Sequence, residues 1–195
     1  MASYEDCCDI GREGARRIMD FFSIYCEDGR YVATDKGRLS RELQLRYGDF
    51  YIASPNGKAM FVELKTEERN RPNLFLETWS NRPHREGWMH QLDCDLLFYH
   101  FLEPPGDLYI LDFPKLKSWA FGGGPEQPGR MYDYPEKAHN FRPQRNVTCG
   151  RCVPIPDILA AVPHRHYRYD DGVFRPVQPR PFHLTALTHA RSTHR

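Results

Sequence analysis

The chain has 195 residues, enough for one domain with a modest appendage, and its 40% hydrophobic content can build one core. Its 27 basic and 26 acidic residues give a net charge of +1, which excludes a polycation that coats nucleic acid by bulk charge; a DNA partner would need a local basic patch. No apolar run approaches the ~18 residues of a membrane span, and the six cysteines, scattered behind a polar and acidic start with no signal-peptide pattern, read as reduced thiols of a cytoplasmic protein.

Residues 5–25 read as a helix, because Ile10, Gly14, Ile18, Phe21, Phe22 and Tyr25 recur at helical spacing and form one apolar stripe. Arg12, Arg16 and Asp20 fall on the opposite side, and Glu13 falls toward the stripe's edge. Residues 30–47 are polar and carry Arg38, Arg41 and Arg46; within them Arg41-Glu42-Leu43-Gln44-Leu45-Arg46 fits a strand or a helical turn equally.

The stretch from Gly48 to Thr66 is the most informative. Gly48-Asp49-Phe50-Tyr51-Ile52 and Met60-Phe61-Val62-Glu63-Leu64-Lys65-Thr66 read as two strands, with Asn56-Gly57 as the turn signal between them. Glu63 and Lys65 lie two apart and so share one face, while Val62 and Leu64 face the core. Two carboxylates and a lysine gathered on a small sheet are costly to bury unpaired. A divalent metal relieves that cost, since carboxylates are hard oxygen ligands for Mg²⁺ or Mn²⁺.

Asp49, the hairpin and Glu63-Leu64-Lys65 together resemble the PD-(D/E)XK nuclease superfamily, of restriction-endonuclease-like fold, over residues 5–120. Gly48 stands where the family usually has proline. The resemblance implies Asp49 and Glu63 as metal ligands, Lys65 as the catalytic lysine, Mg²⁺ or Mn²⁺ as cofactor and DNA as substrate, with RNA left open. It also implies a further acid from the first helix, for which Glu13 is the candidate as a metal ligand and catalytic residue; a surface salt bridge is its other reading. Glu42 is the alternative extra acid. Without the resemblance, the same residues make an amphipathic hairpin with a solvated Glu63–Lys65 pair.

Leu74-Phe75-Leu76-Glu77-Thr78-Trp79 alternates as a third strand, expected to pair antiparallel with its sequence neighbour, the Glu-x-Lys strand. Phe75, Glu77 and Trp79 share a face, which makes Glu77 a candidate catalytic residue or a partner of Lys65. The loop 80–87, with Arg82, His84 and Arg85, is where phosphate contacts are expected. Asp95 to Leu102 and Leu108 to Phe113 read as buried strands, and Pro114 opens a helix.

The expected fold class is therefore α/β, a mixed four- to five-stranded sheet flanked by helices, restriction-endonuclease-like, with an irregular Pro-rich C-terminal extension. Residues 1–120 form the nuclease core, 121–171 an appended strand and short helix, and 172–195 a basic Pro-rich tail with Arg175, Arg180, Arg191 and Arg195. Cys149 and Cys152 have zinc-knuckle spacing with His164 and His166 following, but His-x-His is too short for the usual finger, and two ordinary core or surface cysteines is the plainer reading. The function expected is a metal-dependent deoxyribonuclease of phage or mobile-element type, in repair, recombination or restriction; a non-cutting nucleic-acid- or protein-binding factor on the same fold is the alternative. A homodimer is open.

Overall fold

The computed structural model describes residues 4–25, 30–33, 41–53, 59–124, 127–140 and 147–177. In chain order the elements are α1 (Tyr4–Tyr25), β1 (Arg30–Ala33), α2 (Arg41–Tyr47), β2 (Phe50–Ala53), β3 (Ala59–Glu67), β4 (Asn73–Asn81), β5 (Arg85–Glu86), α3 (Trp88–Gln91), β6 (Leu96–Phe101) and β7 (Gly106–Asp112). There follow α4 (Phe113–Phe121), β8 (Gly122–Gly124), β9 (Gln127–Pro128), a 3-10 turn (Arg130–Asp133), β10 (Glu136–Asn140), β11 (Thr148–Pro154), α5 (Ile155–Ala161), β12 (His164–Asp170) and β13 (Val173–Pro176).

Among the described residues the main sheet has seven strands in the order β1-β2-β3-β6-β7-β12-β13. All its pairings are antiparallel except β3 with β6, which run parallel in the register Glu63↔Leu97 and Lys65↔Tyr99. A parallel pair needs a crossover, and residues 68–95, containing β4, β5 and α3, make it. A second sheet, β10-β11-β4-β5, stacks four strands.

Alternation along β6 separates two cores. Leu96 and Phe98 pack with Ile18, Phe21 and Phe22 of α1, while Leu97, Tyr99 and Phe101 pack with Leu74 and Leu76 of β4 and Val153 of β11. Of the expected α1 stripe, Gly14, Ile18, Phe21 and Phe22 are buried, Ile10 is partly buried, and the Tyr25 side chain lies outside the described residues; Gly14 lies so close to β3 that a Cβ there would stand 2.1 Å from Thr66 Oγ1. Asp112 caps α4 by accepting from the Lys115 N–H at 3.0 Å, with Pro114 in the first turn.

The α/β class holds, with three corrections to its detail. The main sheet has seven strands rather than four or five. One face is covered by α1, but the other is covered by the second sheet with α4 and α5, not by helix alone. Finally, β4 does not pair with β3; it pairs with β11 and β5, and β6 takes the place beside β3. The segment read as an appendage is woven into both sheets: β11 joins β4, and β12 joins β7. The strand β13 lies beyond the expected boundary at 171 and pairs with β12. The Asn56-Gly57 turn, Arg38, and Arg180, Arg191 and Arg195 lie outside the described residues.

Candidate active site

Gly48 closes α2, its N–H donating to the Gln44 carbonyl at 3.0 Å. Its φ of +96° is one that only glycine adopts without strain, and a Cβ there would stand 2.7 Å from Val62 O. A proline at this position, with φ fixed near −65°, would not fit that backbone. Asp49 follows at once and is pinned to β3 twice: its N–H donates to Val62 O at 2.9 Å, and its Oδ2 accepts from the Leu64 N–H at 3.1 Å. The first acid is therefore positioned by the backbone of the strand that carries the second.

On β3, Val62 and Leu64 face the α1 core, which leaves Glu63 and Lys65 on the other face, toward the second sheet. Glu63 is 6% exposed. Lys65 Nζ lies 2.5 Å from Glu63 Oε1 and 5.3 Å from the centre of the Trp88 ring. Burial alone would lower the pKa of the Lys65 ammonium, but the carboxylates of Glu63, Asp49 and Glu77 outweigh it and raise the pKa. Lys65 thus stays charged through neutral pH.

Glu77 comes from β4, in the other sheet. Burial raises its carboxyl above the ordinary range, against the opposing pulls of Lys65, the Trp88 backbone N–H and Arg85. Gly87 lets the chain pass over it: a Cβ at Gly87 would stand 2.5 Å from the Glu77 carbonyl oxygen.

These side chains border one cleft of about 350 Å³. Asp49, Glu63 and Lys65 come from the β2–β3 pair, Glu77 and Ser80 from β4, and Arg85 and Glu86 from β5. Trp88 and Gln91 of α3, with Gln44 and Leu45 of α2, complete the border. Of the expected site residues, Asp49, Glu63, Lys65 and Glu77 are together.

Glu13 is not, which corrects its assignment as a ligand. Its carboxylate accepts from Arg16 and, at 2.7 Å, from Arg17, and these two hydrogen bonds hold its pKa down to about 2. Arg17 in turn donates to Leu102 O and lies over Tyr169, on the α1 side of the main sheet. The sheet separates Glu13 from the cleft. Glu42 is exposed on α2 and does not border the cleft either.

The loop 80–87 divides its cations. Arg82 is tied to Glu136, while Arg85 borders the cleft. Trp88 and Gln44 were not singled out by the sequence; Gly87 before Trp88 was the available sign of a close backbone approach.

The donor chemistry fits a hard divalent cation, with the Asp49 and Glu63 carboxylates bordering one cleft. Among the described residues no group of three or more His, Cys, Asp and Glu side chains converges as a ready-made cage, so water and substrate oxygens would complete the shell. Cys149 and Cys152 lie on β11 of the second sheet, whereas His164 and His166 lie on β12 of the main sheet, His166 bonded to Asp107 at 2.8 Å. No family model, curated protein or solved structure matches the chain.

Proposed function

We propose that the chain is a metal-dependent nuclease that hydrolyses phosphodiester bonds in DNA, on a restriction-endonuclease-like variant of the α/β fold. The observation that carries this reading is the meeting of Asp49, which leads into β2, with Glu63 and Lys65 of β3 at the border of one cleft. Asp49 and Glu63 would hold Mg²⁺ or Mn²⁺, which when bound activates water and offsets charge on a phosphate oxygen.

The protein's own groups do the rest. Lys65, held charged by its three carboxylate neighbours, acts as a donor and a positive charge rather than as a base, and stabilises the negative charge that builds on the phosphate as the bond breaks. The Leu64 N–H keeps the Asp49 carboxylate from turning away. Glu77 borders the same cleft, and burial raises its carboxyl pKa against the opposing pull of Lys65. No helix among the described residues is long and apolar enough to cross a membrane, and we place the activity in the cytoplasm.

The test is incubation with linear, circular and single-stranded DNA, and with RNA, in Mg²⁺, Mn²⁺ or EDTA. Cleavage is expected with either metal and not in EDTA. Asp49→Asn, which keeps an acceptor for the Leu64 N–H, and Lys65→Ala should each lower the rate at least ~10³-fold. Equal cutting by wild type and Lys65→Ala would remove the mechanism. Tight DNA binding with no cutting in any metal would favour a non-cutting binding factor instead.

A further inference from the structure

Charge at the cleft does not by itself favour a polyanion. Four carboxylates (Asp49, Glu63, Glu77, Glu86) face two cations (Lys65, Arg85), a formal sum of −2. A bound divalent cation brings that sum only to zero. Lys65 is committed to Glu63 at 2.5 Å. Attraction for a DNA strand must come from a cation at the border that is not already neutralised.

Arg85 answers that description. Arg82, three residues earlier, is held by Glu136. Arg85 forms no ion pair within 4.0 Å among the described residues, is exposed, and borders the cleft. The hairpin holds its backbone: Ser80 Oγ lies 3.4 Å from the Arg85 carbonyl and 3.0 Å from that of Glu86. The guanidinium is therefore carried on an anchored backbone, and its fork matches phosphate geometry.

A second observation comes from α2. Gln44 borders the same cleft, and its Nε2 is buried with no hydrogen-bond partner among the described residues. A buried amide donor without an acceptor is costly to keep. An acceptor in the cleft that this amide reached would relieve that cost.

We propose that Gln44 and Arg85 bind the sugar–phosphate backbone of the DNA strand being cut, Arg85 through a phosphate and Gln44 as a hydrogen-bond donor to the same strand. The inference rests on the nuclease reading and names the residues by which that site grips its substrate. Arg85 supplies charge; Gln44 supplies position without charge. The two therefore have different salt signatures.

The test is fluorescence anisotropy of a labelled DNA oligonucleotide, single-stranded and duplex, with Mg²⁺ over a salt series, in a Lys65→Ala background so that the probe survives. Arg85→Ala should weaken binding and reduce the steepness of log K against log salt by about one. Arg85→Lys should restore the slope. Gln44→Ala should weaken binding roughly three- to ten-fold with the slope unchanged. Thermal melts check that each variant is folded, and Arg85→Gln replaces Arg85→Ala if the latter is not. Unchanged affinity and slope in the Arg85 variant, or unchanged affinity in Gln44→Ala, overturns the inference while the nuclease reading stands on wild-type cutting. A wild-type chain that neither binds nor cuts DNA overturns both.

Discussion

His100 lies on β6 with none of its surface exposed. Its Nδ1 is 3.3 Å from the Asp107 carbonyl oxygen, and its Nε2 has no hydrogen-bond partner among the described residues. The rings of Phe174 and Tyr169 stand against it. Burial holds its pKa down to about 4 from 6.5, with Arg17 adding to the effect and Asp107 and Glu13 opposing it. The unfolded chain takes up a proton here near pH 6.5 and the folded chain only near 4, so between those values the unfolded state binds more protons and stability falls as pH falls. The loss should total roughly 3 kcal/mol and level off below pH 4. Urea unfolding of wild type and His100→Phe at pH 7.5, 5.5 and 4 checks it: the variant should lack this part of the slope, and parallel curves would refute the assignment. At this scale the sequence was legible where a residue's neighbours in the chain decide its place. Asp49, Glu63 and Lys65 met as expected because strand alternation and one hairpin suffice. Glu13 did not join them, because α1 packs on the sheet face away from the cleft, which no local pattern reveals, and its partners Arg16 and Arg17 lie on the same helix.

Among the elements, the hairpin β12–β13 departs furthest from what the sequence suggested. His164 to Asp170 alternates, and Asp171-Gly172 follows with φ of +49° and +80°, the backbone of a tight hairpin turn. That signal was present in the sequence but was hidden among arginines, histidines and prolines that resemble a solvated tail. The burial is unambiguous: Tyr167 and Phe174 are each 1% exposed, and their rings meet Phe21 of α1 edge-on at 5.0 and 5.3 Å. A chain ending at 120 or at 162 should therefore not fold, since the first core would lose two of its aromatic members and β7 its neighbour. Tyr167→Ala in the full chain should cost about 3–5 kcal/mol, as large-to-small changes at buried aromatic sites do. Near-UV circular dichroism and urea titration measure both, and a cooperatively folding 1–120 fragment would contradict this account. The pairing of β4 was illegible for a different reason: nothing local distinguishes a strand that joins its predecessor from one that starts a second sheet, and only the later β11 settles it.

For the molecule as a whole, the cleft lies where the two sheets face each other, so its charges act between layers. Asp49 and Glu63 belong to the main sheet's β2–β3 pair, Glu77 belongs to the second sheet, and Lys65 sits under the influence of all three. Mutual repulsion among the acids works against closing the layers, and a divalent cation would oppose it more strongly than Lys65 alone. Mg²⁺ binding the folded state only should raise stability by about 2.7 kcal/mol at a hundredfold excess over Kd, or roughly 5–10 °C in Tm for a chain of this size. The rise should vanish in Asp49→Asn and Glu63→Gln and persist in Lys65→Ala, because an ammonium cannot be a ligand. Thermal melts with Mg²⁺ and with EDTA decide it; a rise that survives in Asp49→Asn would place the ion elsewhere.

The parallel pairing of β3 with β6 has a consequence for how such a chain can diverge. Residues 68–95 exist to carry the chain across, and that same length supplies Glu77, Arg85 and Trp88. Asp49, Glu63 and Lys65 all lie upstream of it. Gln44, Asp49, Glu63 and Lys65 thus precede the crossover, and Glu77, Arg85, Glu86 and Trp88 fall within it. Insertions, deletions or recombination within that one stretch would reshape one wall of the cleft and leave Asp49, Glu63 and Lys65 untouched. A chain built this way could exchange one wall of its cleft by replacing one segment while keeping the strand pair that carries Glu63 and Lys65.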